Sequence, residues 1–144
     1  MINLLIVTHG EFGAYLLEAA ESIIGRQAEG VKALSISSRL SLEEVRLRLE
    51  KAVEELLSRD GLVLLTDMPG GTPGNLALPL AKAKPNVAIV SGLNLYMLIS
   101  AFKNRKDLAL PALVEKIVSD GRRSISDVLE AFESQAARAR HGAR

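Results

Sequence analysis

Apolar residues in this chain fall into short unbroken runs, separated by longer stretches in which they recur every three or four positions. Unbroken runs mark strands buried on both faces of a parallel sheet, whereas the 3.6-residue period marks helices with one buried stripe. Ile2–Val7, Leu62–Thr66 and Val87–Val90 are clear strands, and Val31–Ile36 is a weaker one. Between the first two runs the spacing predicts a helix over Phe12–Ile24. Its buried face is Leu16, Leu17, Ala20, Ile23 and Ile24, and Gly25 is its stop.

Ser41-Leu42-Glu43-Glu44 has the form of a capping box, with Leu40 and Val45 placed as its hydrophobic staple. The helix it opens is expected to bury Leu42, Val45, Leu49, Ala52, Val53 and Leu56. A third helix is expected to begin with Thr72 as N-cap and Pro73 at the first helical position, then to kink or end early at Pro79. A fourth runs from Asn94 to about Lys103 and a fifth from Leu110 to Val118. After Gly121 the pattern is open: Arg122 to Phe132 reads as one more helix or as a segment that starts with a short strand. The Ala- and Arg-rich stretch from Ser134 is expected to fray.

Alternating strands and helices with right-handed crossovers predict an α/β fold, a doubly wound open sheet. The 144 residues suit one domain, and there is no internal repeat or linker. That domain is expected to span residues 1–133, with 134–144 a flexible tail. Hydrophobic residues at 48% and charged residues at 24% give the profile of a soluble globular protein. Eighteen basic against seventeen acidic residues leave a formal charge of +1, which offers no electrostatic footprint for nucleic acid or an anionic membrane. Cysteine is absent, which excludes disulfides, a thiol nucleophile and thiolate metal sites. No export signal is visible, and the most apolar segment, Val87 to Phe102, is too short to span a bilayer and is interrupted by Ser91, Gly92 and Asn94. The expected location is the cytoplasm.

Chemistry collects at the carboxyl ends of parallel strands. The first strand delivers Thr8-His9-Gly10 there, and the run ending at Thr66 delivers Asp67, followed by Met68-Pro69-Gly70-Gly71-Thr72-Pro73. Taken alone, His9 reads as a turn histidine solvated at a strand end, and Asp67 as a cap for its loop. Together they form a candidate catalytic pair, in which Asp67 orients an imidazole that acts near neutral pH. Gly70-Gly71-Thr72 reads as a tight turn with a cap, or as a loop whose exposed amides and helix dipole hold phosphate oxygens. Thr8 and Asn75 are candidates for support, Asn75 either bracing the loop or facing solvent. Neither a Walker motif nor a GxGxxG is present, so nucleotide and dinucleotide binding find no support. No metal site is supported, and His141 sits in the tail.

Thr8-His9-Gly10, Asp67-x-x-Gly70-Gly71-Thr72-Pro73-x-Asn75 and Gly92-Leu93-Asn94-Leu95-x-Met97-Leu98 lie in order along nearly the whole chain. Together they resemble the mannose family of enzyme IIA domains of the bacterial phosphoenolpyruvate-dependent sugar phosphotransferase system. The resemblance implies a mainly parallel sheet of order 2-1-3-4, with room for an exchanged antiparallel C-terminal strand in a homodimer. It implies a phosphotransferase that takes a phosphoryl group from the histidine-containing phosphocarrier protein onto His9 and passes it to an enzyme IIB partner. Asp67 then matches the orienting residue, and Gly70, Gly71 and Thr72 match the phosphate-contacting loop. No cofactor or metal is implied, and the acceptor is expected to be a separate protein. The family usually carries proline where this chain has Tyr96, a departure that bears on partner choice. An alternative of a different class is a regulatory module whose His9 phosphorylation state is sensed by a partner.

Overall fold

A computed structural model describes residues 1–143. Four strands, β1 (Asn3–His9), β2 (Val31–Ile36), β3 (Leu62–Thr66) and β4 (Val87–Ser91), alternate with helices α1 (Phe12–Ile24), α2 (Leu42–Leu56), α3 (Thr72–Ala83) and α4 (Leu95–Asn104). Two more helices, α5 (Leu110–Arg123) and α6 (Val128–Gly142), follow. The strands form one parallel sheet of order β2-β1-β3-β4.

Side chains alternate across each strand, so the unbroken apolar runs feed two cores at once. Leu4, Ile6, Val63 and Leu65 pack with Ala20 of α1, Leu98 of α4 and Ile117 of α5 on one face. Leu5, Val7, Leu62 and Leu64 pack with Val45, Leu49 and Val53 of α2 and Ala77 of α3 on the other. The connection leaving β1 therefore goes to one face and that leaving its neighbour β3 goes to the opposite face. Between those two strands the connections diverge and leave a crevice at the carboxyl ends.

Several helix details differ from expectation, each for a local reason. Ile23 is exposed, because Gly13 and Ala20 set the line of closest approach of α1 to the sheet and Ile23 lies to one side of it. Leu42 is also exposed: it lies in the first turn of α2, which overhangs the carboxyl end of the sheet beside His9. The capping box itself is present, with Ser41 Oγ accepting from Glu44 N–H at 3.2 Å and Glu44 Oε2 accepting from Ser41 N–H at 2.8 Å. The N-cap of α3 is Gly71 rather than Thr72, which moves Thr72 to the first helical position and Pro73 to the second. Pro79 does not end α3, which continues to Ala83. The ring removes the one bond its N–H would give to the carbonyl four residues back, and the last turn bonds on without it.

The exchanged antiparallel strand has no counterpart: no strand follows β4 among the described residues. The stripe Leu113, Ile117 and Gly121 carries α5 on to Arg123, and Asp127 then caps α6 by accepting from Glu130 N–H at 3.0 Å. Ala-, Glu- and Arg-rich sequence favours helix there, and the segment from Ser134, expected to fray, continues α6 to Gly142. No residue of α6 is buried.

Candidate functional site

Residues 7 and 66 are register partners across β1 and β3, so Asp67 follows β3 level with Thr8 and one residue short of His9 on the adjacent strand. Asp67 Oδ2 accepts from His9 Nδ1 at 2.8 Å and from the His9 main-chain N–H at 2.9 Å. Its other oxygen accepts from Met68 N–H at 3.0 Å. The side chains are 50% and 14% exposed respectively, so the ring reaches solvent while its partner lies beneath. Burial pushes the Asp67 carboxyl up, but the main-chain and ring donors of His9 and the amide of Met68 outweigh it and hold the group below its ordinary value.

An ionised carboxylate only accepts hydrogen bonds. The hydrogen of this contact therefore sits on Nδ1 of His9, and on a neutral ring the lone pair is left on Nε2. Two sequence-predicted residues thus come together with a fixed tautomer.

The third predicted part lies against the ring. A Cβ at residue 71 would stand 3.1 Å from His9 Cε1 and 3.3 Å from Met68 Cγ, so glycine lets the loop approach this closely without displacing the ring or Met68. Gly70, at φ +74°, makes the turn that delivers it. Asn75 Nδ2 donates to Gly70 O at 3.1 Å, so the side chain braces the loop while remaining exposed to solvent. The N–H groups of Gly71 and Thr72 have no acceptor among the described residues, and the Thr72 hydroxyl serves no cap. These amides open the N-terminus of α3, where partial positive charge gathers. Thr8 is buried; its Oγ1 accepts from Gly13 N–H at 2.8 Å and anchors the start of α1.

Beyond the predicted set, a cavity of about 280 Å³ opens beside His9, with Thr72 on one wall and Ser37 and Ser38 of the β2–α2 connection on another. Those serines follow a strand end, the same signal that marked His9 and Asp67. Tyr96 stands exposed in the first turn of α4. His141 lies far along α6, its Nδ1 2.9 Å from Ala137 O. No group of three or more potential ligands is placed to hold a metal ion among the described residues, and no helix there is long and apolar enough to cross a membrane.

The sequence model of the family described as "PTS system fructose IIA component" matches residues 3–118. Among curated relatives, the fructose-specific EIIA component of Bacillus subtilis (strain 168) is 24% identical over 133 residues, covering 92% of this chain and 90% of that protein. The mannose-specific EIIAB component of Escherichia coli (strain K12) is 28% identical over 125 residues, covering 86% of this chain; the match spans 38% of that longer protein. A crystal structure of phosphotransferase system component EIIA from Streptococcus agalactiae superposes with a TM-score of 0.79 at 32% identity, covering 88% of this chain and 97% of the other. The chain belongs to the mannose- and fructose-type enzyme IIA family of the sugar phosphotransferase system.

Proposed function

We propose that the protein carries a phosphoryl group on Nε2 of His9, taking it from the histidine-containing phosphocarrier protein and passing it to an enzyme IIB partner. The observation that carries this reading is the Asp67–Nδ1 bond, which leaves Nε2 as the unprotonated nitrogen beside the glycine loop.

The step balances without an added proton donor. The Nε2 lone pair forms a new N–P bond while the donor's N–P bond breaks, and the donor nitrogen keeps that electron pair. The His9 ring gains positive charge as it becomes N-phosphorylated, and its Nδ1–H stays bonded to the Asp67 carboxylate, which opposes that charge. The free amides of Gly71 and Thr72, with the Thr72 hydroxyl, meet the phosphoryl oxygens at the N-terminus of α3. Positioning and charge stabilisation are most of what phosphoryl transfer asks of a protein. Transfer to the acceptor is the same step in reverse.

Such a carrier works in the cytoplasm between protein partners. We infer further that it does so as a homodimer. The exposure of Ile125, Val128, Leu129 and Phe132, on α6 and the turn before it, supports this, since apolar side chains gathered on one helix mark an association surface.

The test is intact-protein mass spectrometry after incubation with phosphoenolpyruvate, enzyme I and the phosphocarrier protein, beside the His9→Ala variant. One acid-labile phosphoryl increment on the wild type and none on the folded variant is expected. An equal increment on the variant would remove His9 from the reaction.

A further inference from the structure

In the sheet order β2-β1-β3, the connections leaving β2 and β3 flank His9 on opposite sides. The β3 side supplies Asp67 and the glycine loop. The β2 side is the turn Ser37-Ser38-Arg39, and it is well held. Ile36 O accepts from Gly10 N–H at 2.8 Å, so the turn is tied to the residue next to His9. Ser37 O accepts from Leu40 N–H at 3.1 Å, Ser37 Oγ accepts from Arg39 N–H at 3.2 Å, and Ser41 opens the capping box of α2.

Neither Ser37 nor Ser38 donates its hydroxyl hydrogen to any acceptor among the described residues, and both are exposed. They share the cavity of about 280 Å³ with His9 and Thr72, and Leu40 and Val45 contribute its apolar lining. That volume lies just under the roughly 300 Å³ of the smallest ligand pockets. It is ample for a phosphoryl group and leaves space for a side chain of the protein that delivers it.

A phosphoryl group on Nε2 presents three oxygens, and the amides of Gly71 and Thr72 approach them from the β3 side alone. We infer that the Ser37 and Ser38 hydroxyls bind the phosphoryl oxygens from the β2 side, completing a cradle whose other half is the Gly70–Thr72 loop. The inference rests on the carrier reading of His9. Its chemistry suits a carrier: a hydroxyl rotates to donate a hydrogen bond without adding a cation, so the oxygens are oriented and the group is still released to the next protein. The serine protons stay on their oxygens throughout, and the N–P exchange at His9 is unchanged.

The experiment is single-turnover transfer from the phosphorylated phosphocarrier protein to wild type, Ser38→Ala, and the double variants Ser37→Ala/Ser38→Ala and Ser37→Thr/Ser38→Thr. The Ser38 side chain makes no hydrogen bond among the described residues, so Ser38→Ala loses none of the bonds described in the resting fold. Losing a donor to a developing charge in an enclosed site costs about 10²–10³ in rate, and at this open site about tenfold per serine is expected. The fall should appear in the saturating rate with the half-saturating donor concentration unchanged, the ³¹P resonance of the phosphorylated Ser38→Ala protein should move, and the threonine variant should recover most of the rate. A folded double alanine variant transferring at the wild-type rate overturns the inference while leaving the carrier reading intact. So does an equal loss in the alanine and threonine variants, which would trace the effect to loop shape. Absence of labelling on the wild type overturns the carrier reading and this inference with it.

Discussion

Asp67 grips His9 at two points with a single oxygen: Oδ2 accepts both the main-chain N–H and the ring Nδ1–H. The first contact fixes where the residue leaves β1, and the second fixes how its ring is turned. Removing the carboxylate frees the ring to rotate and lets the proton move to Nε2. Asp67→Ala is therefore expected to keep its fold and to lose about 10²–10⁴ in the rate of phosphorylation, the range set by loss of an orienting carboxylate behind a reactive histidine. Stopped-flow transfer from the phosphocarrier protein measures it. A rate within twofold of wild type would mean that the ring is held by something else.

Gly71 tests the approach of the loop. Its φ of −77° is open to any residue, so alanine there strains nothing in the backbone. Two small stability effects of Gly71→Ala oppose each other: lower unfolded-chain entropy favours the variant by about 0.4–1 kcal/mol, and a poorer N-cap disfavours it by a similar amount. Its methyl group would stand 3.1 Å from His9 Cε1, which forces the ring or the loop to give way. The melting temperature should shift by a few degrees at most while phosphorylation falls at least tenfold. Unchanged transfer kinetics in the folded variant would show that ring and loop need not touch.

The parts of this arrangement that were legible in the sequence are those fixed by local chemistry. The apolar runs Val31–Ile36 and Leu62–Thr66 coincide with β2 and β3, and the Ser41–Glu44 box started α2 where expected. His9 and Asp67 stood out because each follows a strand end, yet nothing local shows that one carboxylate oxygen serves both donors of the histidine. Ser37 and Ser38 occupy an equivalent place and passed unread, since serine in a turn is commonplace. The segment after Gly121 stayed open for another reason: no residue of α6 is buried, so no buried apolar stripe among the described residues distinguishes strand from helix there. Arg105 was invisible because its partners lie far along the chain and most are main-chain carbonyls, which carry no residue signature.

Arg105 is 2% exposed at the amino-terminal end of the sheet, away from His9. Its Nη2 donates to Glu29 O at 2.8 Å and to Gln27 Oε1 at 3.0 Å, and its Nη1 donates more weakly to Ile2 O and Gly30 O, both at 3.4 Å. The cation thus ties the end of α4 to the starts of β1 and β2. Replacing it with methionine fills much of the volume but takes the donor from Glu29 O and Gln27 Oε1, while Gly30 O keeps its bond from Leu4 N–H, at about 1–3 kcal/mol for each buried group that water cannot reach. Arg105→Met should lower stability by about 2–4 kcal/mol, read by urea denaturation, while His9 phosphorylation below the melting temperature stays at the wild-type rate. A loss of transfer without loss of stability would mean that the two ends of the sheet are coupled.

Asp120 joins α5 to α4 and makes stability depend on acid pH. It accepts from Ser100 Oγ at 2.7 Å, Lys116 Nζ at 2.9 Å and Arg123 Nη2 at 2.7 Å. The bonds from Lys116 and Ser100, then that from Arg123, hold its carboxyl well below the ordinary carboxylate value. A lowered folded-state value means that the unfolded chain binds the proton first, so stability rises with pH between the two values. The contribution is complete above the unfolded value of about 4 and is lost as pH falls from there through the folded value. Lys116 and Arg123 are largely solvated, which screens their share, so the carboxylate is worth about 1–2 kcal/mol over a neutral amide. Wild type and Asp120→Asn compared by chemical denaturation should differ by that amount, constantly, from pH 8 to pH 5. Below about pH 4 the gap should narrow, because the unfolded wild-type chain takes up the proton before the folded one does, and every other titrating group cancels in the difference. A gap that persists undiminished at pH 2 would show that the charge on Asp120 contributes nothing and that its shape alone holds α5 to α4.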